Sequence, residues 1–190
     1  MAVGTISDLL AHADRLGPLV ADARHGDHGA LEELVSASYD HVFRVCRRVI
    51  GNDADAADAT RDALASMVRA LRRLDDRTRY TTWLYRSAVG AATDHARRRR
   101  SRRRAPGSND IGLIASESDL DSMVESIDVD FGLMELPLDS RVAVVLRDLC
   151  GLDYPHIGEI LEVSADSVRT RVARGRGRLV DLLSPTSRLG

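Results

Sequence analysis

The chain has 190 residues, 44% of them hydrophobic and 29% charged, with a formal net charge of −2; every one of its 27 basic residues is arginine. That length suits two small domains, its two cysteines make neither a disulfide framework nor a CxxC metal motif, and no apolar run reaches the length of a membrane span. The charge is segregated: residues 1–104 hold 19 Arg and 14 acids, residues 105–140 nine acids and no Arg, and residues 141–190 eight Arg and six acids.

Residues 1–25 read as an N-terminal extension with a short helix. Asp8 and Asp14 stand where a signal peptide would carry basic residues, so a cytoplasmic protein is expected. Leu31, Leu34, Val35, Val42, Val45 and Val49 recur at helical spacing. They predict a helix from about His28 to Ile50, capped by Asp27 and stopped by Gly51. A second helix follows Asn52 or Asp53, with its stripe at Leu64, Met67, Val68, Leu71 and Leu74. Residues 75–80 are polar and aperiodic and read as a loop. Thr81 or Thr82 then caps a third helix through Trp83, Leu84, Ala88, Ala91 and His95, which runs into the arginines of residues 97–104. Seven Arg in those eight positions repel one another unless an anion is near. Residues 105–131 read as an acidic flexible linker.

A second helical domain occupies residues 132–184, with residues 185–190 as a tail. Pro137 marks a helix start and Gly151 its end. Asp153 caps a short helix to Leu161, and Ser164 caps a last helix to about Leu183. Ile157, Ile160, Leu161, Val163, Val168 and Val172, with small Gly158 at the crossing, have the spacing of a helix-turn-helix. Glu162 occupies the turn, where Gly is the usual residue. The outer face of the second helix carries Ser167, Arg169, Thr170, Arg171 and Arg174, with Arg176 and Arg178 beyond. That is a phosphate-binding field in which guanidinium groups can also pair bidentately with guanine. Cys46 and Cys150 lie in apolar helical patterns and read as buried small hydrophobes. The histidines His12, His25, His28, His41, His95 and His156 make no HExxH or other ligand spacing, and P-loop and nucleophile motifs are lacking. No enzyme activity, no cofactor and no metal are expected.

Residues 136–149, followed by Gly151-Leu152-Asp153-Tyr154 and the helix-turn-helix to Arg174, resemble region 4 of bacterial sigma factors. The resemblance is to the extracytoplasmic-function (ECF) group of the sigma-70 family. Gly26-Asp27 to Leu34, residues 55–62, Thr82-Trp83-Leu84-Tyr85-Arg86 and Asp94-His95 resemble region 2 of the same group, in the right order. Arg61, Leu64, Val68 and Gly90 stand where that family has Gln, Phe, Trp and Asn.

The resemblance implies an all-α protein of two small helical domains, region 2 at residues 26–104 and region 4 at 132–184. It implies a partner in core RNA polymerase, through the β′ clamp helices and the β flap, together with promoter DNA and an anti-sigma factor. Carried over position by position, Asp58, Arg61, Asp62 and Leu64 would face polymerase. Arg77, Arg79, Tyr80, Thr82, Trp83 and Arg86 would handle the −10 element. Arg97, Arg98 and Arg100 would lie on upstream phosphates. Ser167, Arg169, Thr170, Arg171 and Arg174 would read the −35 element. The side-chain chemistry suits strand opening, which needs aromatic surfaces for unstacked bases and cations for the freed strand. Promoter elements about two helical turns apart lie roughly 70 Å apart, within the ~95 Å limit of such a linker fully extended. A helix-turn-helix regulator working without polymerase would account for residues 136–183 and leave the region 2 match unexplained. A degenerate sigma-like protein that no longer melts DNA would account for both.

Overall fold

The computed structural model describes residues 16–71, 73, 77–103 and 129–184, and among these all regular structure is helical. Helix α1 covers residues 16–24. Helix α2 (His28–Ile50) starts where the Asp27 carboxylate accepts the Ala30 N–H, and it stops at Gly51, whose φ of 87° is left-handed. Helix α3 (Asp53–Leu71) opens with the Asn52 side chain accepting the Asp55 N–H at 2.9 Å. Asp53 and Asp55 in its first turn suit the positive end of the helix dipole. Helix α4 runs from Arg77 to Arg103.

These helices close around one apolar seam. Leu34, Val42, Val45 and Val49 of α2 meet Ala56, Ala59, Ala63 and Met67 of α3, and Leu84, Ala88 and Ala92 of α4 complete it, all buried. Four small or flexible side chains along α3 let the helix axes approach closely. Leu16 and Val20 of α1 are also buried, so this short helix belongs to the bundle.

The stretch expected as a loop over residues 75–80 is helical from Arg77 onward. Tyr80 is the reason. Its ring is 1% exposed, and its hydroxyl lies 2.7 Å from Ser38 Oγ, which itself donates to the Leu34 carbonyl. Burying this ring with its polar tip satisfied outweighs the weak helix propensity of the surrounding residues.

Beyond residue 128 the described residues open with helix α5 (129–135). Asp130 ion-pairs with Arg48 and Arg47 of α2, which draws the end of the expected linker into the fold. Helix α6 (Leu138–Val144) continues into a wider π turn, Val145–Leu149. Helix α7 (Tyr154–Leu161) is capped by Asp153, which accepts the His156 N–H. Helix α8 (Ala165–Leu183) is capped by Ser164, which accepts the Ser167 N–H. The boundaries of α7 and α8 agree with those expected. A Cβ on Gly158 would stand 2.7 Å from the Val163 carbonyl oxygen, so only glycine allows α7 this close to the turn.

The two domains pack on each other, and one buried apolar cluster runs through both. Met134 of α5 sits over Gly51, where a Cβ would come within 2.3 Å of its sulfur. Arg141 of α6 donates to the Val49 carbonyl at the end of α2. Tyr85 of α4 and Cys150 are both buried. Burial raises the pKa of both groups, that of Cys150 to about 12, so both are neutral across the physiological range.

Candidate nucleic-acid and polymerase interfaces

The four residues expected to face polymerase do not share one environment. Asp58 and Arg61 are exposed and ion-paired to each other along α3. Asp62 is exposed and accepts a contact from His95 Nε2 of α4 at 3.0 Å. Leu64 is 6% exposed and packs in the core. It lies on the same face of α3 as Met67 and Leu71, also buried. The polar face of α3 therefore offers Asp58, Arg61 and Asp62.

The six −10 candidates divide more sharply. The side chains of Arg77 and Arg79 lie outside the described residues. Tyr80 is buried, and burial pushes its hydroxyl up to about 12 while Ser38 holds it, so it is not available to stack on a base. Trp83, by contrast, is only partly buried. It lines a cleft of about 330 Å³ between α3 and α4, with Arg86, Asp62 and His95. Gly90 borders the same cleft, and a Cβ there would meet nothing within 4 Å. Ser87 Oγ, also in its wall, is buried and has no hydrogen-bond partner among the described residues.

Thr82 and Arg86 are engaged by the second domain. Thr82 Oγ1 lies 3.0 Å from His156 Nε2, and Arg86 donates to the Glu159 carbonyl at 2.6 Å. Arg86 also lies 3.4 Å from the Glu162 carboxylate. His156, Glu159 and Glu162 thus contact candidate promoter residues, although no sequence spacing joins α4 to α7. Further along α4, Arg97, Arg98 and Arg100 are exposed as a phosphate contact requires. Arg99 instead turns inward to Asp55 at 3.9 Å.

On α8, Val168, Val172 and Gly175 are buried, and Ser167, Arg169, Thr170 and Arg174 are exposed on the opposite side. This split is what a recognition helix needs. Arg171 is half-buried and approaches Asp139 of α6 at 3.8 Å. Arg169 is held between Asp166 at 2.5 Å and the ring of Tyr154 at 5.4 Å, with Arg147 over the same ring at 5.0 Å. Tyr154 therefore orients two guanidinium groups, a role that a tyrosine after a cap residue does not announce in sequence. Asp148 holds Arg176 through two hydrogen bonds and raises its pKa. Among the described residues no group of His, Cys, Asp or Glu has the arrangement to hold a metal ion, and no helix is long and apolar enough to cross a membrane.

The sigma-70 region 2 family matches residues 34–102, and the sigma-70 region 4 family matches residues 129–179. The chain is 33% identical over 192 residues to the ECF RNA polymerase sigma factor SigE of Mycolicibacterium smegmatis, covering 96% of this chain and 74% of that protein. It is 33% identical over 159 residues to SigM of Mycobacterium tuberculosis, covering 83% of this chain and 79% of that protein. Among solved structures, CnrH in complex with the cytosolic domain of CnrY superposes with a TM-score of 0.66 at 25% identity, over 90% of this chain and 97% of that one. The sigma factor RpoE bound to the anti-sigma factor NepR, from Bartonella quintana, gives 0.67 at 20% identity, over 80% and 95%. Two helical domains in this order, matched across nearly the whole chain by sigma factors, place the protein in the ECF group of the sigma-70 family of RNA polymerase sigma factors.

Proposed function

We propose that the chain directs promoter-specific initiation with a defined division of labour. The polar face of α3, at Asp58, Arg61 and Asp62, meets core polymerase. The cleft beside Trp83, with Thr82 and Arg86, receives the opened −10 strand. Arg97, Arg98 and Arg100 rest on upstream phosphates. Ser167, Arg169, Thr170 and Arg174 enter the major groove at −35, with Arg171 at the edge of that surface. The observation that carries this reading is the two-faced character of α8: apolar residues inward and exposed arginines outward on a helix-turn-helix.

The domains must separate to act. Thr82 and Arg86 are hydrogen-bonded to α7, and promoter elements roughly 70 Å apart cannot both be reached from domains that share a core. Core polymerase supplies the binding energy for that separation. An anti-sigma factor that favours the closed arrangement would oppose it, and the chain would act in the cytoplasm, where polymerase and promoter are. Run-off transcription with purified core polymerase, on promoters selected from a random library, tests the reading. Transcripts starting at one position downstream of a shared two-part sequence are expected. DNA binding without any transcript would favour a regulator that works without polymerase.

A further inference from the structure

Ser101 interrupts the arginine run at the end of α4. Arginine fills the other positions from 97 to 104, so the serine has arginine directly on both sides and at each of the four positions before it. Its side chain is exposed, as are those of Arg97, Arg98 and Arg100. Arg97 and Arg98 stand four and three residues before Ser101 in the helix and share its face. Arg99 points the other way, inward to Asp55 at 3.9 Å. The nearest acid along the Ser101 face of α4 is Asp94, two helical turns back.

The other exposed hydroxyls among the described residues are placed differently. Ser36 of α2 has Glu32, Glu33 and Asp40 within four residues. Ser164 and Ser167 pair their hydroxyls with each other, and Thr170 donates to the Asp166 carbonyl. A phosphate added to a serine carries a charge of about −1.5 to −2. Beside Ser36 it would meet carboxylates. On Ser101 it would meet two guanidinium groups about one turn away, both able to form charge-assisted hydrogen bonds with it. The negative end of the helix dipole opposes an anion there, but two full cations on the same face outweigh that partial charge.

A kinase acting here must hold the last turn of α4 extended. Ser101 lies two residues before the helix end at Arg103, and arginines at i,i+3 and i,i+4 spacings repel one another, so that turn opens at little cost. An acidic substrate groove on the kinase complements the arginines around the serine. We propose that Ser101 is a phosphorylation site for an arginine-directed serine kinase, and that its phosphate draws Arg97 and Arg98 off promoter phosphates. The step joins Ser101 Oγ to the γ-phosphorus of a nucleoside triphosphate and breaks the bond from that phosphorus to the β-phosphate oxygen. The nucleoside diphosphate leaves, and the hydroxyl proton passes to a base on the kinase. The effect on DNA rests on the assignment of Arg97, Arg98 and Arg100 to upstream phosphates; the modification itself does not.

Two experiments on the full chain keep these apart. In the first, wild type and S101A are incubated with γ-labelled ATP and an extract of the cells that make the protein, and labelled sites are mapped by mass spectrometry. Label at Ser101, lost in S101A, is expected. No label, or equal label on S101A, would overturn the proposal. In the second, phosphoserine is installed at position 101 during synthesis, and the chain joined to core polymerase is titrated on a selected promoter at several salt concentrations. The phosphate should weaken binding about tenfold and reduce the steepness of log K against log salt by about 2. In the R97Q/R98Q chain, already weaker in binding, the phosphate should change affinity less than about twofold. Wild-type affinity in the phosphoserine chain, or an undiminished loss in R97Q/R98Q, would contradict the proposed withdrawal of the two arginines. R97Q/R98Q binding as tightly as wild type would instead overturn the promoter assignment of these arginines, and the effect on DNA with it, whatever the labelling shows.

Discussion

Glu162 forms the turn between α7 and α8 with φ at 56°, the left-handed region that costs a residue with a Cβ about 1–2 kcal/mol. Its carboxylate approaches Arg86 at 3.4 Å but is 74% exposed, so that pair contributes little. E162G should therefore raise stability by about 0.5–1 kcal/mol, read as a higher urea midpoint with an unchanged m-value. Four residues earlier the sign reverses. G158A would place its methyl against the Val163 carbonyl, a backbone atom that cannot rotate away, and should cost about 1–3 kcal/mol. A lower Tm with an unchanged circular dichroism spectrum would record it. Both positions were legible in sequence, because a helix-turn-helix needs a small residue at its crossing and a left-handed turn between its helices. His156 against Thr82 was not: the two are 74 residues apart and neither belongs to a periodic pattern.

At the scale of the element, α2, α7 and α8 were readable because each joins a cap residue to an apolar stripe. Helix α4 was misread at its start because the signal there is not periodic. One buried tyrosine anchored on Ser38 creates its first turns, and tertiary burial of that kind leaves no local mark. The same misreading made Tyr80 a candidate for base stacking, whereas half-buried Trp83 is the aromatic that reaches the cleft. The buried groups of this region give a pH dependence. Unfolded, the thiols ionise near 9.0 and the Tyr80 phenol near 10.0; folded, burial holds Cys46 to about 11 and Cys150 and Tyr80 to about 12. The folded chain then carries more protons than the unfolded one from about pH 9 upward, so stability falls as pH rises through that window. Arg141, lowered to about 10, offsets part of the loss only at the alkaline end. Urea midpoints measured between about pH 8 and 10.5 should decline steadily, and a flat profile would contradict this burial.

Helix α8 yields a second element-scale prediction. Arg174 is exposed, whereas Arg176 is held by Asp148. R174A should weaken binding to a selected −35 duplex by about 1–3 kcal/mol if its guanidinium reads a base. R176A should act less, since the Arg176 charge is already partly neutralised by Asp148. Anisotropy titrations on matched and scrambled duplexes separate the two. A loss for R174A of the same size on every duplex would make it a phosphate contact.

For the whole molecule, a net charge of −2 describes no part of the chain. Two arginine-rich helical units flank an acidic stretch, and that division, with the order of region 2 and region 4, could be read directly from sequence. How the two units meet could not. The interface depends on Arg141 reaching the end of α2, on Met134 over Gly51 and on Asp130 beside Arg48, contacts between residues far apart in sequence with no complementary pattern between them. This closed arrangement hydrogen-bonds Thr82 and Arg86 to α7, so the proposed −10 role of these residues requires opening. The direct measurement is an energy-transfer distance between dyes on cysteines introduced at Glu33 of α2 and Val180 of α8, both exposed, with the native thiols buried. A short distance is expected in the free chain, increasing by tens of ångströms when core polymerase and promoter DNA are added together. A distance that stays short in a complex active in transcription would contradict the requirement for opening.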